Sequence, residues 1–408
     1  MKAKAVMYGA GNIGKGFIGE IFYRSGYHTT FIDVNQSTVD LLNRDRKYPI
    51  FVTNDTEYLT EWVEDVSAVN GTDREAVVNT IAECDIMATA LGANILPIVA
   101  PIIASAISKR KLLDGRPLNI FICENLIGSG KYLHDLVKPH IDDPDVEYFE
   151  NMIGFVSVCV GRTVPKTPES IAAEYPLAAC TEPYCELPVD ADGFRPVGCE
   201  MPPLVGLVPF SPFEFFIERK LLIHNMGHAL TAYLAHLKGH SSITEAMYDA
   251  EIKYILTRAL IESARALSKR HNAPLDDSLE FVEELMIRFE NKMLEDTPLR
   301  VGRDSKRKLS ASDRLVGAFN CVKEQGGVPA HIAVGIAAGY LFDDPADPIS
   351  VEVSSYAKAY GLRAALEKYS AITADEDVNL IETFYCMLVE KAPFSSFVDT
   401  LAKLKNSH

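Results

Sequence analysis

Lys220, Asn225 and His228 place a base, an amide and an imidazole within nine residues of a segment whose apolar spacing reads as helix. A helix turns about 100° per residue, so Asn225 and His228, three apart, share nearly one face. Lys220 and His228, eight apart, differ by about 80° around the axis. Three polar heads on such a segment converge on one small molecule, with which they exchange protons and hydrogen bonds. Ala229, Leu230, Ala232, Tyr233 and Leu234 follow at once, which implies that the segment is at least half buried. A lysine and a histidine snorkelling out of a packed helix are the plain alternative.

A second group of residues stands at the N-terminus. A short apolar strand over 3–8 runs into Gly9-Ala10-Gly11-Asn12-Ile13-Gly14, a G-x-G-x-x-G placed after a first strand and before a helix. Gly9 permits the tight turn and Gly11 lets a pyrophosphate approach the backbone. Gly14 lets the helix pack close, its N-terminal amides facing the anion. A second strand, 28–33, ends in Asp33, 19 positions after Gly14, near the ~20 expected of a ribose-binding carboxylate. Asp33 accepts from an adenosine 2′-hydroxyl and repels a 2′-phosphate, which favours NAD over NADP. A glycine-rich turn with an incidental aspartate is the competing explanation.

The third group is Arg300 to Arg314, in which six of fifteen residues are basic (Arg300, Arg303, Lys306, Arg307, Lys308, Arg314) although the whole chain carries a net charge of −16. A solvated charged face is the ordinary reading of such a run. A local reversal of sign in so acidic a chain points instead to an anion, for which arginine is suited by its bidentate geometry.

The elements that must position these groups follow from length and patterning. A chain of 408 residues exceeds one ordinary core, so two domains are expected. Hydrophobic content of 48% with 24% charged residues is that of a globular protein. The acidic balance argues against nucleic acid or an anionic membrane as partner. Without an 18-residue apolar run or a signal core, the chain reads as soluble and cytoplasmic. Eight scattered cysteines with no C-x-x-C read as buried free thiols. Up to about residue 160, apolar runs such as 85–91 and 118–123 alternate with helical stretches, the pattern of a parallel sheet covered on both faces. Ten of the 22 prolines then fall in 165–212, a region of turns and edge strands that completes the first domain. Helical periodicity takes over afterwards, with a capping box at Ser242–Glu245 and helices expected at 275–294, 310–324, 328–342, 350–368 and 375–404. The expected organisation is an α/β extended Rossmann domain over 1–205, a mostly parallel doubly wound sheet, and an all-α substrate domain over 206–408. Cofactor and substrate sites commonly meet at such a junction.

Taken together these residues resemble the polyol-specific long-chain dehydrogenases over essentially the whole chain. The resemblance is carried by Gly9 to Gly19, Phe31 to Asn35, Cys123-Glu124-Asn125, the Lys220, Asn225, His228 spacing, and Arg300 to Arg303 with Arg307 to Ser310. It implies an extended Rossmann domain, a mostly helical C-terminal domain and metal-independent oxidation of D-mannitol 1-phosphate to D-fructose 6-phosphate by NAD. By resemblance, Lys220 is the general base, a role that requires burial and a nearby positive charge. Asn225 and Asn125 hold the developing alkoxide, and His228 binds a substrate hydroxyl or orients the lysine. Arg300 and Lys308 match the family's basic substrate contacts, and Arg303 and Arg307 are further phosphate candidates.

The chain departs from the family at three points: Gly161 stands in Val160-Gly161-Arg162 where aspartate is usual, Lys15 replaces arginine, and His224 replaces an apolar residue. His224 and His228 have metal-ligand spacing but no evident third ligand, so no metal is expected. An unphosphorylated polyol or a hexuronate is the alternative substrate, and a catalytically silent NAD-binding protein the alternative function. A monomer or a small homo-oligomer both remain compatible with the sequence.

Overall fold

The computed structural model describes residues 2–53 and 57–406. The chain divides into two compact units, Met1–Phe216 and Ile217–His408. Unit 1 contains strands β1 (Lys4–Tyr8), β2 (His28–Asp33), β3 (Lys47–Thr53), β4 (Tyr58–Glu64), β5 (Val66–Asn70), β6 (Ile86–Thr89), β7 (Leu118–Ile122), β8 (Ile153–Ser157), β9 (Ala179–Thr181), β10 (Leu187–Asp190) and β11 (Leu207–Phe210). Six of them form one sheet in the order β5-β2-β1-β6-β7-β8, every pair parallel. Both faces are covered, as a parallel sheet requires. Ala5 and Met7 of β1 belong to one apolar cluster with Phe17, Ile21 and Phe31. Val6 and Tyr8 belong to another with Ile103, Ile120 and Phe149. The chain leaves β1 toward β2 and later crosses back to β6 on its other side, so a crevice opens at the carboxyl ends of β1 and β6.

The proline-rich region adds short strands to unit 1. β9 pairs parallel with β3, which pairs antiparallel with β4, and β10 pairs parallel with β11. That last pairing moves the division of the chain. Leu207–Phe210 pairs with Leu187–Asp190, which keeps the proline-rich stretch to 212 in unit 1, and the break falls after Phe216 and not at 205/206.

Unit 2 is helical. Its centre is the helix Ala330–Leu341, buried from Ala330 through Tyr340. A Cβ at Gly335 would stand 2.8 Å from Leu230, and one at Gly339 3.0 Å from Tyr233, so this helix lies directly on Met226–Lys238. The expected helices form with interruptions. The one expected at 350–368 breaks at Gly361 (φ +87°). The one expected at 375–404 forms as Asp375–Val389 and Phe394–Asn406. Ser242 caps its helix by accepting from the Glu245 amide (3.0 Å). Glu245 returns its carboxylate to the amide and hydroxyl of Ser241 instead of to Ser242. All eight cysteines are free thiols, and Cys84, Cys123, Cys159, Cys180 and Cys321 are buried. Among the described residues no helix is long and apolar enough to cross a membrane.

Candidate active site

The glycine loop, Asp33 and Asn125 belong to unit 1. Gly9 follows β1 with φ +109°, a conformation that strains any side chain. Its amide donates to the Ile32 carbonyl (2.8 Å), which ties the loop to the end of β2. A Cβ at Gly14 would collide with the Gly9 carbonyl, whereas one at Gly11 would meet nothing within 4 Å. The loop is therefore closed beneath and open above Gly11, a cradle shaped for a group lying on the backbone. Asp33, half-buried at the end of β2, accepts from the Ala10 amide (2.8 Å) and the Asn35 amide (2.9 Å). A carboxylate has about four acceptor sites, so Asp33 braces the loop and retains capacity for a ribose hydroxyl. Lys15 lies in the field of Asp33, and burial pulls its ammonium below the usual lysine range while the carboxylate opposes this. The helix behind the loop is a π-helix over Gly14–Gly19.

Asn125 follows β7 at the same carboxyl edge and is exposed. Glu124 beside it was quoted in the sequence without a role. The structure buries it and stitches the ends of β6 and β7 through it: its carboxylate accepts from the Leu91 amide (2.9 Å) and the Thr89 hydroxyl (2.8 Å). Burial raises its pKa above the ordinary carboxylate value, against the pull of these donors. Arg162 is likewise a structural clamp, paired with buried Glu20 and donating to the Glu182 and Gly16 carbonyls (2.8 and 3.3 Å). At neighbouring Gly161, a Cβ would meet the Tyr184 ring at 3.0 Å. Tyr184, whose hydroxyl donates to Glu186 (3.1 Å), thus fills the space beside the position where the family pattern has aspartate.

Lys220, Asn225, His228 and the basic stretch belong to unit 2. The segment is helical, but not uniformly α: Lys220–Asn225 is a π-helical turn between Glu214–Arg219 and Met226–Lys238. This corrects the geometry drawn from an unbroken α-helix. In an α-helix Lys220 and Asn225, five apart, would diverge by about 140°. The i→i+5 bonding of a π turn widens the helix locally and reduces the angle between residues five apart, which brings Lys220 and Asn225 closer to one side than an unbroken α-helix would. Both are half-buried. The Ser263 hydroxyl donates to the Leu222 carbonyl inside this turn (2.7 Å).

One turn on, the His228 ring stacks on Phe289 (centroids 4.9 Å, 19°) and its Nε2 lies 3.0 Å from Asp296 Oδ2. The other oxygen of Asp296 pairs with the Arg300 guanidinium. Asp296 is 6% exposed and was not singled out in the sequence; it has no motif of its own and is found only once the chain folds. His224 is buried, and its pKa is pushed well below the usual histidine range by burial and by Arg288, His228, Lys220 and Arg314. It is therefore neutral at neutral pH. Among the described residues no three His, Cys, Asp or Glu side chains cluster to hold a metal.

The basic stretch divides. Its short helix Pro298–Gly302 packs on Met226–Lys238, a Cβ at Gly302 falling 3.2 Å from Tyr233. Lys308 is buried and donates to the Arg303 carbonyl; burial, with Arg314 and Arg307 nearby, pulls its pKa down to about 8. Arg307 is held between Asp304 (2.8 Å) and Asp313 (3.1 Å), and Arg314 pairs with Asp313 (2.7 Å). Lys306 faces Glu352 (3.5 Å), and Arg303 is exposed. Two internal carboxylates thus take up part of the positive charge that suggested an anion site.

The profile of the mannitol dehydrogenase Rossmann domain matches residues 3–198, and that of the mannitol dehydrogenase C-terminal domain matches residues 213–383. The chain belongs to the mannitol dehydrogenase family. It is a polyol dehydrogenase, an oxidoreductase built on a dinucleotide-binding domain. It is 35% identical to the mannitol-1-phosphate 5-dehydrogenase of Thermoanaerobacter pseudethanolicus over 375 residues, 92% of this chain and 95% of that one. Identity is also 35% to the mannitol-1-phosphate 5-dehydrogenase of Geobacillus thermodenitrificans, over 90% of this chain and 94% of that one. The fold is similar to that of a D-sorbitol dehydrogenase crystal structure (TM-score 0.79, 16% identity, 96% of this chain and 94% of that one). It is also similar to that of Pseudomonas fluorescens mannitol 2-dehydrogenase in a ternary complex with NAD and D-mannitol (TM-score 0.70, 18% identity, 99% and 95%).

Proposed function

We propose that this polyol dehydrogenase interconverts D-mannitol 1-phosphate and D-fructose 6-phosphate with NAD, without a metal. The observation that supports this chemistry is the π turn over Lys220–Asn225, from which we infer that Lys220 and Asn225 act on one side of the helix. The substrate assignment is supported by relatives named for mannitol 1-phosphate along nearly the whole chain. NAD, held by Gly9 to Gly14 and Asp33, supplies the acceptor for the hydride that leaves carbon. Lys220 takes the hydroxyl proton in that direction and returns it in the other. Asn225 and Asn125 donate amide hydrogen bonds to the oxygen as it gains charge. His228 binds an adjacent hydroxyl, its ring fixed by Phe289 and Asp296. Arg300 and Lys308 bind the phosphate, with Arg303 exposed beside them.

The pairing of Arg307 with Asp304 and Asp313 favours a second reading, an unphosphorylated polyol, because those carboxylates leave less charge for an anion. NADH consumption with fructose 6-phosphate, fructose and fructuronate, measured side by side, tests both. The phosphorylated ketose should give the highest kcat/KM. Equal efficiency with fructose would overturn the phosphate assignment in favour of the second reading.

A further inference from the structure

Asp296 is a buried carboxylate with two different nitrogen partners, an imidazole and a guanidinium, a costly arrangement unless both contacts are used. Oδ2 is 3.0 Å from His228 Nε2, and the other oxygen meets Arg300. The backbone fixes the aspartate independently of these contacts. Its carbonyl accepts from the Ile243 amide (2.8 Å), Glu295 before it is in the left-handed region (φ +49°), and Thr297 after it caps the next helix through the Arg300 amide (3.2 Å). The surroundings are positive: Lys220, Arg288 and Arg314 act on neighbouring His224, and Arg303 acts on Arg300. In this setting the carboxylate does more than neutralise. It commits Nε2 of His228, so that the imidazole exchanges hydrogen bonds with anything else through Nδ1, and it sets the direction from which the guanidinium approaches.

We infer that Asp296 is a positioning residue that couples His228 to Arg300, so that one rigid carboxylate places the hydroxyl-binding ring and the substrate-binding cation together. The arrangement is a carboxylate–histidine pair of the kind that fixes a ring tautomer, extended by a second arm to an arginine. The inference rests on the polyol reading of the site, but not on which polyol is the substrate.

Asp296→Asn keeps the shape and one acceptor and removes the charge, so it separates positioning from folding. The melting temperature should stay close to that of the wild type, while KM rises and kcat falls, each by about tenfold, the scale of one charge-assisted hydrogen bond. In an Arg300→Ala background the same substitution should change KM by less than about threefold, since residues sharing one network are not additive. Histidine-selective ¹⁵N labelling of the full-length protein gives a readout free of substrate: His228 should carry its proton on Nε2, and Asp296→Asn should shift the population toward Nδ1. Multiplicative effects in the two backgrounds, or an unchanged tautomer, would overturn the coupling. A wild-type enzyme inactive on fructose 6-phosphate would remove the substrate assignment alone, because the cycle is then run on the ketose it does reduce.

Discussion

At the scale of the residue, Lys308 is a buried cation whose pKa is pulled down to about 8 by burial and by Arg314 and Arg307. That value has a consequence in each direction. Above about pH 8 the ammonium loses its charge, so KM for fructose 6-phosphate should climb between pH 7 and 9, and Lys308→Met should abolish that limb of the profile. Stability runs the opposite way. The unfolded lysine titrates near 10.5, so between the two values the unfolded chain binds more protons and stability at this site rises with pH. A KM independent of pH across this range would remove Lys308 from the anion site. Gly9 to Gly14, Asp33 and the Lys220, Asn225, His228 spacing announce themselves in the sequence because their chemistry demands particular types at particular separations. Asp296 and Glu124 do not, since a buried carboxylate acquires its role only from partners brought in by folding. Lys308 was legible as a cation but not as one whose pKa is about 8.

At the scale of the element, alternation of apolar runs and helical stretches was sufficient to read the parallel sheet and the helical second unit. The π turn at Lys220–Asn225 was beyond reach, because apolar periodicity carries no mark for one inserted residue. Such a turn disturbs the regular ladder, and the Leu222 carbonyl inside it is taken up by Ser263. Ser263 is fully buried, on the helix Ala250–His271. Ser263→Ala should therefore cost about 1–3 kcal/mol, the range for stranding a buried acceptor. It should also lower kcat more than KM if, as proposed, this turn sets Lys220 and Asn225 on one side of the helix. Thermal melts and steady-state kinetics on the same variant measure both; an unchanged kcat at a lowered melting temperature would reduce the bond to a purely structural one. Edge strands were expected within 165–212, but that Leu207–Phe210 is one of them is visible only through its partner Leu187–Asp190.

At the scale of the molecule, the chain combines a dinucleotide-binding unit with a helical unit, each with its own core, and an acidic total with a basic island. Ligand binding to the folded state raises stability by mass action, about 2.7 kcal/mol at one hundred times Kd. NADH should therefore raise the melting temperature well above the shift given by equal NADPH, because Asp33 faces a 2′-phosphate badly. Lys220→Ala should retain that shift while losing turnover by several orders of magnitude. Equal shifts from the two cofactors would take Asp33 out of the ribose site.

The stacking of His228 on Phe289 carries one more consequence. Protons held over the face of a benzene ring sit in its shielding cone, so the carbon-bound hydrogens of this imidazole should resonate upfield of those of an unstacked histidine. The ring to which we assign a substrate hydroxyl thus carries a spectroscopic mark of its own packing. Its chemical shift gives a built-in meter of how far ligand entry displaces the ring from Phe289, without a label, a reporter dye or any change of sequence.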